Sequence, residues 1–273
     1  MEKIMIKNVC FGDYIPKVCV PIVGRNREEI IRQAQLIRTE SDILSKKFSG
    51  DEAIRLSVIE FRADFYDEVT SCYSLKKMIK EIRDIFSDKL LLFTYRSEEE
   101  GGELRHDRAE GMITDIQENA INSGNIDMID IELMSGNYNV ARLAARAHEK
   151  GVATVISYHN FDETPHDGRL ERYLWTMEQL GGDILKIAVK PKNEIDVERM
   201  IDLTERAAKG KLIQNNVTKP IAIISMDELG RQTRVMGRKT GSCLTFSYVG
   251  DGSAPGQIEL LDMYKELGAK LIQ

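Results

Sequence analysis

Short apolar, β-branched runs alternate with longer stretches of helical period along the whole chain. The short runs predict strands at Lys17–Val23, Leu56–Asp64, Leu90–Arg96, Met128–Leu133, Ala153–His159, Ile184–Val189, Ile221–Met226 and Ser242–Tyr248. Between them, Ser71–Phe86 places Cys72, Leu75, Met78, Ile79, Ile82 and Ile85 on one helical face. Leu170, Tyr173, Leu174, Met177 and Leu180 do the same in the fifth helix. Gly124, Gly151, Gly181 and Gly210 each follow such a pattern, where a left-handed residue ends a helix. Strand–helix units in succession, with no run of consecutive strands, predict a parallel sheet. Eight strands close a barrel, whereas an open doubly wound sheet has about five or six. The expected fold is therefore α/β, a (β/α)8 TIM barrel filling residues 1–273 as a single domain. Residues 1–15 are expected to add an N-terminal β-hairpin, Lys3–Ile6 with Val9–Phe11, turning at Gly12-Asp13.

Composition narrows the function classes. A chain of 273 residues with a formal charge of -6 has no clustered basic stretch, so a nucleic-acid partner is not expected. No apolar run approaches the roughly 20 residues of a membrane span. Met1 to Cys10 is short, mixed and interrupted by Lys3 and Lys7, unlike a signal peptide. Cys10, Cys19, Cys72 and Cys243 are scattered without metal-ligand spacing and read as structural, reduced thiols of a cytoplasmic protein.

Strand parity brings in the chemistry. Alternate residues of a barrel strand face the interior. The inward set carries Glu60, Arg62 and Asp64 in the second strand, Arg96 at the end of the third, and Asp130 and Glu132 in the fourth. It ends in His159 in the fifth and holds Lys186 in the sixth. Any one of these could be a solvated strand end. Five adjacent strands directing ionisable groups inward, where unpaired charge costs several kcal/mol, read instead as an active site at the C-terminal rim. Lys186 lies among Ile184, Leu185, Ile187, Ala188 and Val189. Burial and nearby cations such as Arg62 and Arg96 would depress its pKa and make it a nucleophilic amine. The alternative is a structural pairing with Glu60 or Glu132. His159 is placed for proton transfer near neutral pH. His106, His148 and His166 read as surface residues.

Two loops complete the pattern. The loop Arg96–Glu103 contains Gly101-Gly102, which would let backbone approach a ligand, and a carboxylate that could orient His159. The loop Gly250–Gln257 follows the eighth strand, leads into the last helix and reads as an anion-binding helix start.

Taken together, Glu60-Phe61-Arg62-Ala63-Asp64, Phe93-Thr94-Tyr95-Arg96 with Glu100-Gly101-Gly102, Asp130-Ile131-Glu132, Ser157-Tyr158-His159-Asn160-Phe161, Asp183-Ile184-Leu185-Lys186 and Ser253-Ala254-Pro255-Gly256-Gln257 resemble the type I 3-dehydroquinate dehydratases, in family order across nearly the whole chain. The resemblance implies a hydro-lyase of the shikimate pathway of aromatic amino acid biosynthesis. It further implies a (β/α)8 barrel, a homodimer, and neither metal nor organic cofactor. Lys186 would form an imine with the ketone of 3-dehydroquinate, His159 would move the protons, and Glu100 would orient His159. Glu60, Arg62 and Arg96 would bind hydroxyls, and Arg234 the carboxylate. Ser253, Ala254 and Gln257 would close over the ring, with Met226 and Phe246 as apolar walls. Two other readings compete: a Schiff-base aldolase acting on a sugar phosphate, and an inactive barrel used as a binding module.

Overall fold

The computed structural model describes residues 1–49, 55–103, 111–250 and 256–271. Among these, β1 (Lys17–Ile22), β2 (Leu56–Arg62), β3 (Leu90–Thr94), β4 (Met128–Glu132), β5 (Ala153–Asn160), β6 (Ile184–Val189), β7 (Ile221–Ser225) and β8 (Leu244–Tyr248) run parallel. Their order is β7-β6-β5-β4-β3-β2-β1-β8, with the two-residue strand Ile258–Glu259 added beside β8. The ring closes between β8 and β7, where the Cys243 N–H donates to the Ile221 carbonyl at 2.7 Å. The expected TIM-barrel class holds.

Helices α1 (Arg27–Lys47), α2 (Cys72–Ile85), α3 (Met112–Ile121), α4 (Asn137–Glu149), α5 (Asp167–Gln179) and α6 (Glu194–Ala208) follow the first six strands. Their starts are built locally. The side chains of Asn26, Ser71 and Asn193 each accept a backbone N–H of the first turn, and Glu29 also accepts the Arg25 N–H just before the α1 cap. The seventh unit is different. It holds only α7 (Asp227–Gly230), the 3-10 turn Arg231–Arg234 and α8 (Gly237–Thr240), while α9 (Leu260–Glu266) ends the barrel.

Strand alternation divides the apolar side chains into two sets. Val20, Ile22, Ile59, Phe61, Phe93, Ile129, Ile131, Ile156, Leu185 and Ile187 point outward and pack with the helices. Cys19, Val58, Leu90, Leu92, Met128, Val155 and Ile184 fill the lower barrel interior together with Ile6 and Phe11 of the hairpin. The upper interior is where the inward positions become polar.

Several sequence expectations need correction. The hairpin pairs Ile4–Ile6 with Val9–Phe11, so it turns at Lys7-Asn8, with Lys7 at φ 51°, and Gly12-Asp13 lies after it. The turn is pinned by Asp127, which takes Lys7 Nζ at 2.5 Å and also pairs with Arg83. Cys72 is exposed at the start of α2 and donates to Asn119, so it is no core thiol; Cys19 and Cys243 are buried and all four cysteines are free. Ahead of α9, Ile258–Glu259 pairs with β8. The expected anion-binding start falls on a loop whose residues 251–255 lie outside the described residues. Ser253, Ala254 and His106 lie outside the described residues. His148 and His166 are exposed, as expected. No described helix is long and apolar enough to cross a membrane.

Candidate active site

At the C-terminal rim the inward residues of neighbouring strands meet in register. Glu132, Ser157, Lys186 and Ala222 form one row across β4–β7, and His159, Ala188 and Ile224 form the row above it. A cavity of about 300 Å³ opens over them. Its wall includes Glu60, Arg62, Arg96, Glu100, His159, Lys186, Met226, Arg234, Phe246 and Gln257. All the expected site residues that are described share this one cavity.

Lys186 is buried, and its partner is neither Glu60 nor Glu132. Nζ donates to Asp130 Oδ2 at 3.1 Å and sits 4.6 Å from the centroid of the Phe246 ring. Asp130 is fully buried and also takes Arg96 at 2.9 Å and the Ser157 hydroxyl at 2.6 Å. Burial alone would raise this carboxyl; Arg96, Lys186 and the Ser157 hydroxyl outweigh it and hold it at about 2.

Arg96 is the hub of the floor. Besides Asp130 it donates to Glu132 and to Ser157, each at 3.0 Å, and reaches Glu100 at 3.5 Å. Burial works against its charge, yet Asp130, Glu132 and Glu100 together raise its pKa. Its donors are thus spent on the protein itself. Arg62 is similarly forked onto Asp64, with both contacts at 2.8 Å, and Glu60 accepts the Thr94 hydroxyl at 2.8 Å.

His159 ends this network. Its Nδ1 lies 2.8 Å from Glu100 Oε2, which also accepts the His159 backbone N–H at 3.1 Å. An oxygen already receiving a backbone donor and facing Arg96 is an acceptor, so Nδ1 carries the hydrogen and Nε2 keeps the lone pair. Glu100 Oε1 is buried with no partner among the described residues. Burial pushes the Glu100 carboxyl up to about 8, with Glu132 and Asp130 adding to it and Arg96 opposing. Burial, then Arg96, Lys186 and Arg62, push the His159 imidazole well below its ordinary value. Both directions favour an uncharged imidazole with its Nε2 lone pair free.

The carboxylate reaches His159 because of a short loop. Glu98–Glu100 forms a 3-10 turn ended by Gly101 at φ 84°, and the Ser97 N–H donates to Glu132. Both glycines are required by the loop, and Gly101 also lines the catalytic cavity. A β-carbon on Gly102 would fall 2.0 Å from the Arg96 carbonyl oxygen, and one on Gly101 would fall 2.4 Å from the Phe161 ring.

On the opposite wall, Arg234 comes from the 3-10 turn after β7. It is buried, and its Nε has no partner among the described residues. Burial lowers its pKa to about 10, only partly offset by Asp227 and Glu228. A buried guanidinium that is only partly compensated and lines a cavity suits an anion. Among the described residues, no group of three or more His, Cys, Asp or Glu could hold a metal ion.

A sequence profile described as type I 3-dehydroquinase matches residues 18–270. The chain belongs to the type I 3-dehydroquinase family. It is 35% identical over 263 residues to the 3-dehydroquinate dehydratase of Listeria innocua, covering 96% of each. It is also 35% identical to that of Clostridioides difficile, covering 99% of this chain and 96% of that one. The crystal structure of the type I 3-dehydroquinate dehydratase from Clostridium difficile with covalently modified comenic acid superposes with a TM-score of 0.84 at 34% identity, covering 97% of this chain and 96% of that one. The 3-dehydroquinate dehydratase from Geobacillus kaustophilus gives 0.86 at 30% identity, covering 97% and 95%. Membership makes this protein a hydro-lyase.

The sequence places Asp130 and Ser157 within matching segments without assigning either a role, and nothing in it singles out Ile224 or Ala188. Inward parity was the available signal for all four. It could not say which carboxylate reaches the lysine, because that depends on the stagger between β4 and β6.

Proposed function

We propose that this enzyme converts 3-dehydroquinate to 3-dehydroshikimate through an imine on Lys186, with His159 as acid and base. The observation that carries the reading is the buried Lys186 amine and the Glu100-tethered His159 on neighbouring strands, opening into the same cavity beside Arg234, whose Nε has no partner among the described residues. Covalently modified comenic acid in a relative's structure supports a site suited to covalent chemistry.

The steps balance as follows. The Lys186 amine adds to the C3 carbonyl and water leaves, giving an iminium that draws electrons from C2. His159 Nε2 takes a C2 proton, leaving an enamine. The enamine expels the C1 hydroxyl, which departs as water with the proton from His159. Water then hydrolyses the product iminium and frees Lys186, so the net change is loss of one water. Arg234 suits the substrate carboxylate, whose charge would satisfy its buried guanidinium. Asp130 holds the lysine in line and Arg96 ties the floor together, a role in place of the hydroxyl binding expected for Arg96.

Borohydride reduction in the presence of 3-dehydroquinate, followed by peptide mapping, tests the reading. The adduct is expected on Lys186, and Lys186→Ala should lose both adduct and turnover. His159→Ala should still trap the adduct while kcat falls about 10²–10⁴-fold. Turnover without any adduct on Lys186 would sink the mechanism. A sugar phosphate that protects Lys186 better than a quinate-like carboxylic acid would favour an aldolase instead.

A further inference from the structure

Arg234 differs from the other two arginines of the cavity in how it is held. Arg62 is forked onto Asp64, and Arg96 is tied to Asp130, Glu132 and Ser157, so partners of their own fix both guanidinium groups. Arg234 is 5% exposed, and its Nε has no partner among the described residues. The aim of its guanidinium is therefore set by the backbone that carries it, the 3-10 turn Arg231–Arg234.

That turn is fastened at the barrel seam. Among the described residues, each neighbouring pair of strands from β7 round to β8 shares a backbone ladder, whereas β7 and β8 meet through Cys243 and Ile221 without sharing one. The Met226 N–H points to β6, where it donates to the Val189 carbonyl, so the Ser225 and Ile223 N–H groups point to the β8 side. Side-chain hydroxyls take them up there: Ser242 Oγ accepts from Ile223 at 3.3 Å, and Thr233 Oγ1 accepts from Ser225 at 3.1 Å. Thr233 thus occupies the place of a β8 carbonyl. Its hydroxyl donates in turn to the Gly230 carbonyl at 2.8 Å, at the end of α7. Gly230 is pressed on the same strand end, since a β-carbon there would fall 2.3 Å from the Ser225 carbonyl oxygen.

We propose that Thr233 is a positioning residue for substrate binding, its hydroxyl clamping the turn to the end of β7 and so aiming the Arg234 guanidinium at the substrate carboxylate. The clamp acts through Arg234 and rests on the carboxylate role given to that arginine. One buried hydroxyl ties the strand end to the carbonyl just before the turn, and the unpartnered Nε offers no second anchor.

Binding of quinate and of its carboxamide, which differ in the charged group alone, tests the clamp. Thr233→Val keeps the shape and deletes both hydrogen bonds; it should weaken quinate about 10-fold or more and the carboxamide no more than about two-fold. Thr233→Ser restores the hydroxyl and should bind quinate within about three-fold of the unsubstituted enzyme. KM for 3-dehydroquinate should follow the quinate Kd, while kcat and borohydride trapping at saturating substrate stay within about three-fold. In an Arg234→Lys background Thr233→Val should add little, because both changes remove the same contact. Equal weakening of both ligands, or losses that multiply in the double variant, overturns the clamp. Thr233→Ala, which leaves room for water at the Ser225 N–H, carries the same expectations if the valine variant does not fold. Arg234→Lys with unchanged quinate affinity would remove the carboxylate role and the clamp with it. A tenfold loss in Arg234→Lys beside an unaffected Thr233→Val would remove the clamp alone.

Discussion

At the scale of single residues, the Glu100–His159 pair makes a testable statement about stability. Unfolded, the carboxyl titrates near 4.5 and the imidazole near 6.5; folded, the carboxyl is raised to about 8 and the imidazole is held well below its ordinary value. A raised carboxyl contributes stability that is present below 4.5 and is lost as pH rises toward 8. A depressed imidazole contributes stability that is present above 6.5 and is lost as pH falls. Below 6.5 the two slopes oppose one another. From 6.5 to 8 only the Glu100 slope remains, and stability falls as pH rises. Glu100→Gln removes that slope. The urea midpoint of the variant relative to the unsubstituted enzyme should thus improve steadily from pH 4.5 to 8, and a flat difference would show that Glu100 is not raised. Arg234 makes a second statement. Arg234→Lys keeps a charge but loses the fork, and should raise KM about 10-fold or more with trapping at Lys186 retained; an unchanged KM would remove it from carboxylate binding. At this scale the sequence told which side chains enter the barrel, through the parity of Ile129–Leu133 and Leu185–Val189. Which partner each one finds depends on stagger between strands, so Asp130 as the partner of Lys186 stayed hidden.

Among elements, the strand centres were legible and their upper ends were not. Ile184–Val189 matches its expected range, but β2 stops at Arg62 and β3 at Thr94, two residues short of Asp64 and Arg96. The alternation of apolar and polar residues continues through Ala63-Asp64, yet the backbone there has turned into a 3-10 helix. Catalytic rims depart from sheet geometry because their backbone must turn to present side chains, and a period-two pattern does not register that turn. The pattern predicts another strand–helix pair for the seventh unit, whereas two four-residue helices and a 3-10 turn bring Arg234 inward. The last helix was expected and has a structural duty of its own. The Tyr264 hydroxyl of α9 accepts the Leu56 N–H at 2.7 Å where β2 begins, and the ring meets Phe48 edge-on at 5.9 Å. Tyr264→Phe leaves that buried N–H unpaired and should cost about 1–3 kcal/mol in denaturant unfolding, with the active site unaffected. A neutral substitution would mean that the N–H finds another acceptor.

Across the whole molecule, the barrel interior is divided between a wet, charged upper half and a dry lower half. The hairpin closes the lower end: Phe11 is fully buried among Cys19, Val58, Leu90 and Leu92, at the opposite end from the catalytic cavity. The charged floor around Arg96 is rigid through its own hydrogen bonds, so it does not depend on the plug for its geometry. The lower half depends on the plug for packing, because an emptied ring site exposes side chains of several strands at once. Phe11→Ala should therefore destabilise the protein by about 3–5 kcal/mol, while kcat measured well below the unfolding temperature stays within about two-fold. Stability is then a property of the lower end and chemistry of the upper, the division expected of a parallel barrel. A tenfold loss of kcat in a Phe11→Ala enzyme of unchanged stability would show that the plug reaches the Lys186 row through the layers between, and that the two halves are mechanically one.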